Sequence, residues 1–269
     1  MPDLVAARLY ARVMVALADF QYRRLPARAL RASGRQLLEV GSALLTMALS
    51  QPIPKANRVY NLGVGAPATR VEVDAIVAEY QTRRLPYRIE LSPLAQPDVL
   101  DAWIRAAGAR AVANVHVLSR ARAPIADTRT SLRIDSVTTE HADDFLDAYM
   151  DGFDAPATAA MTLRTYFEVP GARFYAAYDG SIPAAGAWMF VHDGVAYFTG
   201  AATREAYRGR GAQSALLARR VRDAQGMGCE LCLIDTDEEL PDRPNPSFHN
   251  VVRAGFEPAF VLRVFEGGP

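Results

Sequence analysis

The chain contains few residues that cross-link a protein or bind a metal, and it carries no excess charge. Its 269 residues include two cysteines and four histidines, and 30 Lys and Arg balance 30 Asp and Glu. Zero net charge provides no overall field for nucleic acid or an acidic membrane, so we expect neither as a partner. No apolar run approaches the roughly 20 residues that span a bilayer, and the N-terminus lacks the features of a secretory leader. These absences predict a cytoplasmic globular protein.

The two cysteines, Cys229 and Cys232, have the C-x-x-C spacing of a redox motif. Such a motif needs a helix N-terminus, where the helix dipole lowers the pKa of one thiol. The segment GCELCLIDT instead has the composition of a buried strand, on which residues i and i+3 point to opposite faces. Two cysteines do not complete a zinc site, and the four histidines have no ligand spacing. We therefore predict structural cysteines and no metal.

The N-terminal half alternates helical and strand-like segments. Apolar residues recur at helical intervals from Leu4 to Phe20, and RQLLEVGSALLTMALS predicts two strands with a turn at Gly41-Ser42. The pattern then predicts strand, helix, strand, helix and strand in NRVYNLGVG, VEVDAIVAEYQTRRL, YRIELSP, DVLDAWIRAAG and VANVHVLSR.

A polar, proline-containing stretch, ARAPIADTRTS, is predicted to be a linker. We place one domain at 1–122, the linker at 123–131 and a second domain at 132–269. In the second domain LRIDSV predicts a strand, and two helices, TEHADDFLDAYMDGF and ATAAMTLRTYFE, follow it. A three-strand antiparallel meander comes next, with turns at Asp179-Gly180 and Asp193-Gly194. A helix, a strand, a helix and a strand complete the chain, in AQSALLARRVRDAQG, CELCLID, PSFHNVVRAGF and AFVLRVFE.

The two halves repeat one order of elements. Each contains a strand, a helix, a strand, a helix that ends in Ala-Gly, and a further strand. A repeat on this scale indicates duplication or two copies of one α/β fold, the alternative being a coincidence of common α/β patterns.

The stretch YRGRGAQSALLARR, residues 207–220, joins a strand to a helix. The first turn of a helix has unpaired N–H groups and a partial positive charge, and the preceding glycines let a ligand approach the backbone. No Ser, Thr, Asp or Asn stands next to Ala212 to cap the helix with a side chain. Together these features predict an anion site. The alternative is a loop whose arginines are only solvated charges.

The loop fits one class of phosphate site better than others. It lacks the Lys-Ser or Lys-Thr of a nucleoside-triphosphate loop, and Ser214 interrupts the dinucleotide fingerprint G-x-G-x-x-G. It resembles R-x-x-G-x-[G/A], the diphosphate loop of the GNAT superfamily of acyl-CoA-dependent N-acetyltransferases, with Gln213 at the last position. The flanking elements, and RAGF before the last strand, extend the resemblance over the C-terminal half.

The resemblance implies an α/β (α+β) fold, with a mixed, mostly antiparallel sheet flanked by helices, and two GNAT-like halves. Two neighbouring strands, ending in TGAAT and CELCLID, would splay apart to hold the pantetheine arm of acetyl-CoA. Backbone groups near Ala201 and Thr203 would hold that arm and polarise the acyl carbonyl. The coenzyme-binding residues implied are Ala201, Ala202, Thr203, Arg208, Gly209, Arg210, Gly211, Ala212, Gln213, Ser214, Asn245, Ser247 and Asn250.

Some of these residues have a structural alternative. Asn245, Ser247 and Asn250 have an alternative role as side-chain caps of the last helix. Three arginines further along the preceding helix, Arg219, Arg220 and Arg222, are predicted to face solvent, because Leu217 and its apolar neighbours form the buried stripe.

The acid and base are not evident. Many GNAT relatives have a Tyr four residues before the Gly of the GF pair, and this chain has Val251 there. Tyr197 is the only titratable side chain on the central strand and is a candidate catalytic residue beside Ala201, although strand tyrosines more often pack. His249 and Asp235 are near the implied region. Direct attack by an amine, with water removing the proton, needs no dedicated base.

The N-terminal half resembles degenerate GNAT-like repeats of tandem members. Its equivalent junction, GVGAPATRVEVD, has Glu72 and Asp74 in the first helical turn, where carboxylates complement the helix dipole and repel phosphate. We expect this half to bind no coenzyme A and to wall the acceptor site or pack against the other half.

Two functions from different classes remain. The first is an enzyme that moves an acetyl group from acetyl-CoA to a primary amine of a small molecule or peptide, by direct attack in a ternary complex. The alternative is a non-catalytic acyl-CoA-binding sensor or scaffold, which the absence of a Tyr at Val251 favours. Nucleic-acid binding is not expected, because no aromatic residues are interleaved with the arginines.

Overall fold

A computed structural model describes residues 1–154, 157–242 and 244–269. Contacts divide the chain into two compact units, here unit 1 (Met1–Val117 with Ala259–Pro269) and unit 2 (Leu118–Pro258). This division differs from the predicted domains in three places. Residues 118–122 and the predicted linker belong to unit 2. Residues 259–269, which hold most of the last strand, belong to unit 1, where that strand pairs with another strand of the unit.

Helices and strands are numbered in chain order. Before residue 118 the helices are α1 (Leu4–Asp19), α2 (Ala27–Ser33), α3 (Arg70–Thr82) and α4 (Leu100–Ala106). The strands are β1 (Arg35–Val40), β2 (Ala43–Ala48), β3 (Arg58–Tyr60), β4 (Tyr87–Leu91), β5 (Arg110–Ala111) and β6 (Val115–Ala121), the last of which crosses the division between the units.

The remaining elements follow the predicted order. The strands are β7 (Arg133–Val137), β8 (Ala172–Asp179), β9 (Ile182–His192), β10 (Val195–Thr203), β11 (Leu231–Asp237) and β12 (Glu257–Gly267). The helices are α5 (Ala142–Gly152), α6 (Ala157–Arg164), α7 (Ala212–Gly226) and α8 (Pro246–Arg253).

In unit 1 the strand order is β1-β2-β3-β4-β12, and β5 also pairs with β12. The hairpin β1–β2 turns at Gly41 and Ser42, as predicted. Strands β3 and β4 are parallel, with Val59 opposite Ile89, while β12 runs antiparallel to β4. Side chains of these strands and of α3 form the core, which includes Leu45, Val59, Ile76, Ile89 and Phe265.

Helix α1 confirms the helix that the apolar spacing of the N-terminal segment predicted. The Asp3 carboxylate accepts hydrogen bonds from the N–H groups of Val5 and Ala6, each at 3.0 Å, and so caps the helix. Tyr10 lies on the apolar stripe, and its ring meets Phe260 of unit 1 edge-on, with centroids 5.6 Å apart.

Unit 2 contains a sheet in the order β11-β10-β9-β8-β7. Strands β7 to β10 are antiparallel and include the predicted meander, whereas β10 and β11 are parallel. Helix α7 covers one face through a core that includes Met189, Phe198, Leu216, Val221 and Phe256. Burial of a side chain such as Phe198 contributes roughly 2–3 kcal/mol. The predicted mixed, mostly antiparallel sheet flanked by helices is confirmed.

The two cysteines are free and buried in unit 2. Cys232 lies on β11, but Cys229 precedes the strand, so the expectation that both are strand residues was wrong. Burial raises the pKa of both thiols, that of Cys232 to about 12. Both are therefore protonated near neutral pH, which agrees with a structural role.

Candidate functional site

Strands β10 and β11 separate from each other partway along their length. Their parallel register runs from Val195–Leu231 to Phe198–Ile234 and ends there, although β10 continues to Thr203. The register of β10 with β9 shifts between Thr199 and Ala201, which marks a bulge at this point. The pairing of β10 with β11 therefore ends where the resemblance implied two splayed strands.

Gly200 sits in the bulge with a φ of +43°. A Cβ at this position would collide with the Tyr149 hydroxyl and would lie 2.9 Å from Trp188 Nε1. Burial raises the pKa of Tyr149 well above its ordinary value, so the hydroxyl is neutral at physiological pH. Tyr149, on α5, is a titratable group beside the bulge that the sequence patterns did not single out.

Helix α7 begins after the glycine–arginine loop without a side-chain cap. Its N-cap is Gly211, in the left-handed region with φ 81°, and Gly209 also has a positive φ, 77°. Among the described residues, no hydrogen bond is made by the N–H groups of Gly209 or of residues 211–214. The N–H groups of this first turn are therefore available to an external acceptor, as the sequence predicted.

The predicted linker supports this loop. Thr130 donates its hydroxyl to the Arg210 carbonyl oxygen at 2.8 Å. A Cβ on Gly211 would lie 2.6 Å from the Arg129 carbonyl oxygen, so both the φ and the close approach require glycine there. The segment 123–131 thus belongs to the site as well as to unit 2.

A cavity of about 710 Å³ lies in unit 2 where the open strands meet α7 and α8. The split end of β10, the glycine loop, the first turns of α7, and α8 line it. Predicted residues on its wall are Ala201, Ala202, Thr203, Arg208, Gly209, Gly211, Ala212, Gln213, Ser214, Ser247 and Asn250. Further lining residues that the sequence did not indicate include Gly152, Phe153, Tyr207 and Arg253.

A second hollow of about 490 Å³ shares four residues with this cavity: Gly211, Ser214, Asn250 and Arg253. Its other wall is the segment 124–129, which includes Arg129. The two hollows therefore meet at the start of α7, and arginines lie beside the amides of the loop.

Three predicted site residues do not line the cavity. Arg210 turns to Asp179, 2.8 Å away, and this ion pair lowers the pKa of the carboxyl. Asn245 caps α8, because its Oδ1 accepts the Phe248 N–H and its Nδ2 donates to Thr236 Oγ1 at 2.8 Å. That cap leaves Ser247 to face the cavity.

Tyr197 is the third. It is buried in the sheet and donates its hydroxyl to Asp235 at 2.8 Å. Val251 is buried and lines the cavity at the position where the resemblance implied a Tyr. His249 lies 2.8 Å from Glu239. Because a valine side chain cannot exchange a proton, the cavity wall offers no acid or base at position 251.

Gln213, which departs from the diphosphate-loop pattern, reaches from the start of α7 to the end of β10. Its Nε2 donates to Thr203 Oγ1 at 2.8 Å and so ties the start of α7 to the end of β10. The side chain therefore has a partner within unit 2.

Arg220 contradicts its prediction as a solvated charge. It is 1% exposed and lines the cavity, with its guanidinium 4.8 Å above the Phe198 ring. Nη1 donates to the Trp188 carbonyl at 3.0 Å, and Nε donates to the Leu216 carbonyl at 3.3 Å. The sequence spacing indicates this burial, because Arg220 is four residues from both Leu216 and Ala224, which are buried on the same face of α7.

The other two arginines of α7 are partly exposed. Arg219 pairs with Asp223 at 3.0 Å, and Arg222 lies 3.4 Å from Asp127. Their prediction as surface charges is consistent with these exposures, so only Arg220 needed correction.

In unit 1 the corresponding junction is closed by its own residues. Thr69 and Glu72 form a capping box at the start of α3: the Glu72 N–H donates to Thr69 Oγ1 at 3.2 Å, and the Thr69 N–H donates to the Glu72 carboxylate at 2.6 Å. The preceding amides are also bonded, Ala68 N–H to the Gln96 carbonyl and Gly63 N–H to Ser42 Oγ. Glu72 therefore lies in the first turn as predicted, whereas Asp74 lies beyond that turn and pairs with Arg70 at 3.0 Å, so its predicted place was wrong.

Two further properties concern the whole described chain. In residues 1–154, 157–242 and 244–269 there is no group of three His, Cys, Asp or Glu side chains that could hold a metal ion. The same residues form no helix long and apolar enough to cross a membrane. The cytoplasmic location stays a prediction.

Comparisons with known proteins agree with this geometry. Residues 134–245 match the profile of the Acetyltransferase (GNAT) family. A search of curated proteins found no match. The matched segment lies within unit 2 and contains the glycine–arginine loop whose resemblance to this family the sequence indicated.

Solved structures share the fold at low sequence identity. A GCN5-related N-acetyltransferase from Kribbella flavida has a TM-score of 0.62 at 17% identity, covering 95% of this chain and 96% of that one. A GNAT-family acetyltransferase from Colwellia psychrerythraea has a TM-score of 0.57 at 14% identity, covering 97% of both chains. A tandem GNAT protein of the clavulanic acid pathway has 0.57 at 14%, covering 84% and 78%.

Proposed function

We propose that unit 2 is an acyl-CoA-dependent N-acyltransferase that transfers an acetyl group from acetyl-CoA to a primary amine. The single observation that carries this proposal is the cavity itself. It joins an opened pair of strands to a helix start whose first-turn amides have no side-chain cap.

The loop supplies the site for the diphosphate of coenzyme A. A helix N-terminus presents several N–H donors and a partial positive charge to an anion. Gly209 leaves space on the cavity side, since a Cβ there would meet no atom within 4 Å. Arg208 lines the same wall and adds a positive charge. The adenosine end then occupies the second hollow, beside Arg129 and Arg253.

The pantetheine arm lies between the separated ends of β10 and β11. Its amides bond to backbone groups from Ala201 to Thr203, in the manner of an added strand. The N–H of Ala201, at the bulge, donates to the acyl carbonyl oxygen and stabilises the negative charge that develops there. Ser247 and Asn250 face the arm from α8.

The reaction is a direct transfer in a ternary complex. The free amine nitrogen attacks the thioester carbon, the C–S bond breaks, and the acyl–nitrogen bond forms. The departing thiolate takes up one proton, and the nitrogen releases one to water. The wall at Val251 offers no proton donor, so solvent carries the protons. The acceptor is a small-molecule or peptide amine.

The experiment is release of free coenzyme A thiol from acetyl-CoA in the presence of a panel of primary amines. Because Cys229 and Cys232 are buried, they contribute little background to a thiol reagent. Thiol release that requires both an amine and an intact loop supports the proposal. A thermal shift with acetyl-CoA but no thiol release with any amine would favour the second candidate, a non-catalytic acyl-CoA sensor, which the apolar Val251 supports.

A further inference from the structure

Arg220 is a buried cation on the wall of the cavity without a negative partner. It is 1% exposed, and no carboxylate of the described chain lies within ion-pair distance of it. A charge removed from water in this way is costly unless it is paired.

Its hydrogen bonds are incomplete. A guanidinium has five N–H donors, and Arg220 uses Nε and Nη1 on the carbonyls of Leu216 and Trp188. Nη2 donates to no described residue, and it is not among the fully buried atoms that lack a partner, so it is the part of the side chain that meets the cavity. Arg120 of the same unit is almost as buried, but it donates to four carbonyls, those of Ala254, Ala121, Ala123 and Pro124. The comparison shows that unit 2 can satisfy a buried arginine and does so incompletely at Arg220.

The guanidinium lies beside the point where the acyl group would sit. Its Nη1 bonds to the carbonyl of Trp188, which is opposite Thr199, and the bulge between Thr199 and Ala201 comes directly after. Leu217, Ile234 and Val251 line the cavity with it. An extended acyl chain would therefore meet apolar walls and one fixed positive charge.

Arg220 stays charged under working conditions. Burial lowers its pKa to about 10, against the smaller opposing effects of Tyr175 and Tyr149. At neutral pH the side chain is still a cation, so it attracts an anion and disfavours a second cation.

We propose that Arg220 makes this pocket selective for acyl groups that end in a carboxylate, as in a thioester of coenzyme A with a dicarboxylic acid. The inference rests on the proposed function and specifies its acyl donor more closely. The site accepts acetyl as a small acyl group, and a short dicarboxylic acyl group also supplies the carboxylate that pairs with Arg220. The carboxylate accepts from the free face of the guanidinium and removes the unpaired buried charge.

The test uses coenzyme A thioethers, which bind but are not transferred. Calorimetry compares S-(3-carboxypropyl)-CoA with S-butyl-CoA, which has a chain of matched length with a methyl group in place of the carboxylate, and with coenzyme A itself. In the wild-type protein we expect the carboxylate ligand to bind at least about tenfold more tightly than S-butyl-CoA, the size expected for a charged hydrogen bond. In Arg220→Met we expect this preference to disappear while coenzyme A still binds.

The outcomes separate the two proposals. If wild-type protein binds coenzyme A but does not prefer the carboxylate ligand, the inference about Arg220 is wrong and the proposed function stands. If coenzyme A does not bind wild-type protein at all, the proposed function itself fails. The wild-type comparison needs no variant, so it remains decisive if Arg220→Met does not fold. Arg220→Lys is the matched control, expected to retain a preference for the carboxylate.

Discussion

The chain contains two junctions in which a strand leads into a helix, and they differ in how the first helical turn is satisfied. At α3 in unit 1, Thr69 and Glu72 form a reciprocal capping box in which each side chain accepts the N–H of the other residue. At α7 in unit 2, glycine stands at the N-cap and no side chain caps the helix. The same element order therefore produces a helix start capped by its own side chains in unit 1 and an uncapped helix start in unit 2.

The difference lies in a few residues. In unit 1 a carboxylate stands at the third helical position, Glu72, whereas in unit 2 that position is Ser214. In unit 1 the loop amides bond to neighbouring groups, and in unit 2 the loop is held through the Arg210 carbonyl, which accepts from Thr130. Because Thr130 holds the loop through a carbonyl oxygen, this contact uses none of the N–H groups of the loop. Predictions that exchange or probe these features sharpen the comparison.

The largest effect is expected for Ser214→Glu, which gives unit 2 the carboxylate of unit 1. Repulsion between this charge and a bound diphosphate about 5 Å away is worth roughly 3 kcal/mol at an effective dielectric constant of about 20. Affinity for coenzyme A should fall about 100-fold by calorimetry. The thermal midpoint should not fall, because an acidic residue in the first turn suits the helix dipole.

Ser214→Gln is the matched control, similar in size and neutral. We expect its affinity to stay within a few-fold of wild type. If Ser214→Glu and Ser214→Gln lost equal affinity for coenzyme A, the cause would be the size of the side chain. That result would count against a diphosphate at this turn.

The second prediction uses the location of both cysteines in unit 2. Their burial and raised pKa mean that a thiol reagent reaches them only when the unit opens. A thioether of coenzyme A at 100 times its dissociation constant stabilises the closed form by about 2.7 kcal/mol. Labelling, followed by mass spectrometry, should therefore slow about 100-fold. Unchanged labelling with saturating ligand would show that the ligand does not bind unit 2.

Alkaline pH should weaken the same unit. The pKa of Cys232 is raised to about 12 in the fold, above its value in the unfolded chain. The folded form therefore holds the proton more strongly, and the resulting stability is complete below about pH 8.5 and lost as pH rises toward 12. Thiol labelling at pH 10 should thus exceed labelling at pH 7 by more than thiol ionisation in an unfolded control explains.

A smaller effect is expected from Thr69→Ala in unit 1. Loss of the capping side chain should lower the free energy of unfolding by about 1 kcal/mol, measured by urea denaturation. Affinity for coenzyme A should not change, since this turn binds no ligand in our account. Thr69→Ser, which retains the hydroxyl, is the control. A loss of affinity in Thr69→Ala alone would break the assignment of the two junctions to different roles.

The smallest effect separates the two arginines of the loop. Arg208 is exposed and lines the cavity, and its replacement by Ala should weaken coenzyme A binding about fivefold, as expected for an exposed charge pair of about 1 kcal/mol. Arg210 pairs with Asp179, so Arg210→Ala should change affinity less than about twofold. The reverse order in calorimetry would place the wrong arginine at the phosphate.

Local sequence patterns predicted much of this structure. The meander followed from its turn dipeptides, and the open helix start followed from glycines without a capping residue. The four-residue spacing of Arg220 from Leu216 indicated burial, but the prediction placed the buried stripe of α7 around Leu217 and so assigned Arg220 to the exposed face. Arg210 had no such signal, because its partner Asp179 is far away in sequence.

Long-range pairing accounts for the remaining differences. The last strand joins unit 1 because Phe265 pairs opposite Ile89, and no pattern within the strand indicates that choice. The predicted linker joins unit 2 because Thr130 bonds to the glycine loop. The bulge that opens β10 also depends on its register with β9, which is a property of two strands. The common origin of the two halves stays a prediction.

The central claim is that bare amides in unit 2 bind the diphosphate of coenzyme A. A titration of isotope-labelled protein with coenzyme A, followed by amide NMR, tests it most directly, with pantetheine as the ligand that lacks the diphosphate. We predict that coenzyme A moves the amide resonances of Gly209, Gly211 and Ser214, that pantetheine does not, and that those of Thr69 and Glu72 stay in place. Loop amides that do not respond to coenzyme A, or that respond equally to pantetheine, would contradict the account.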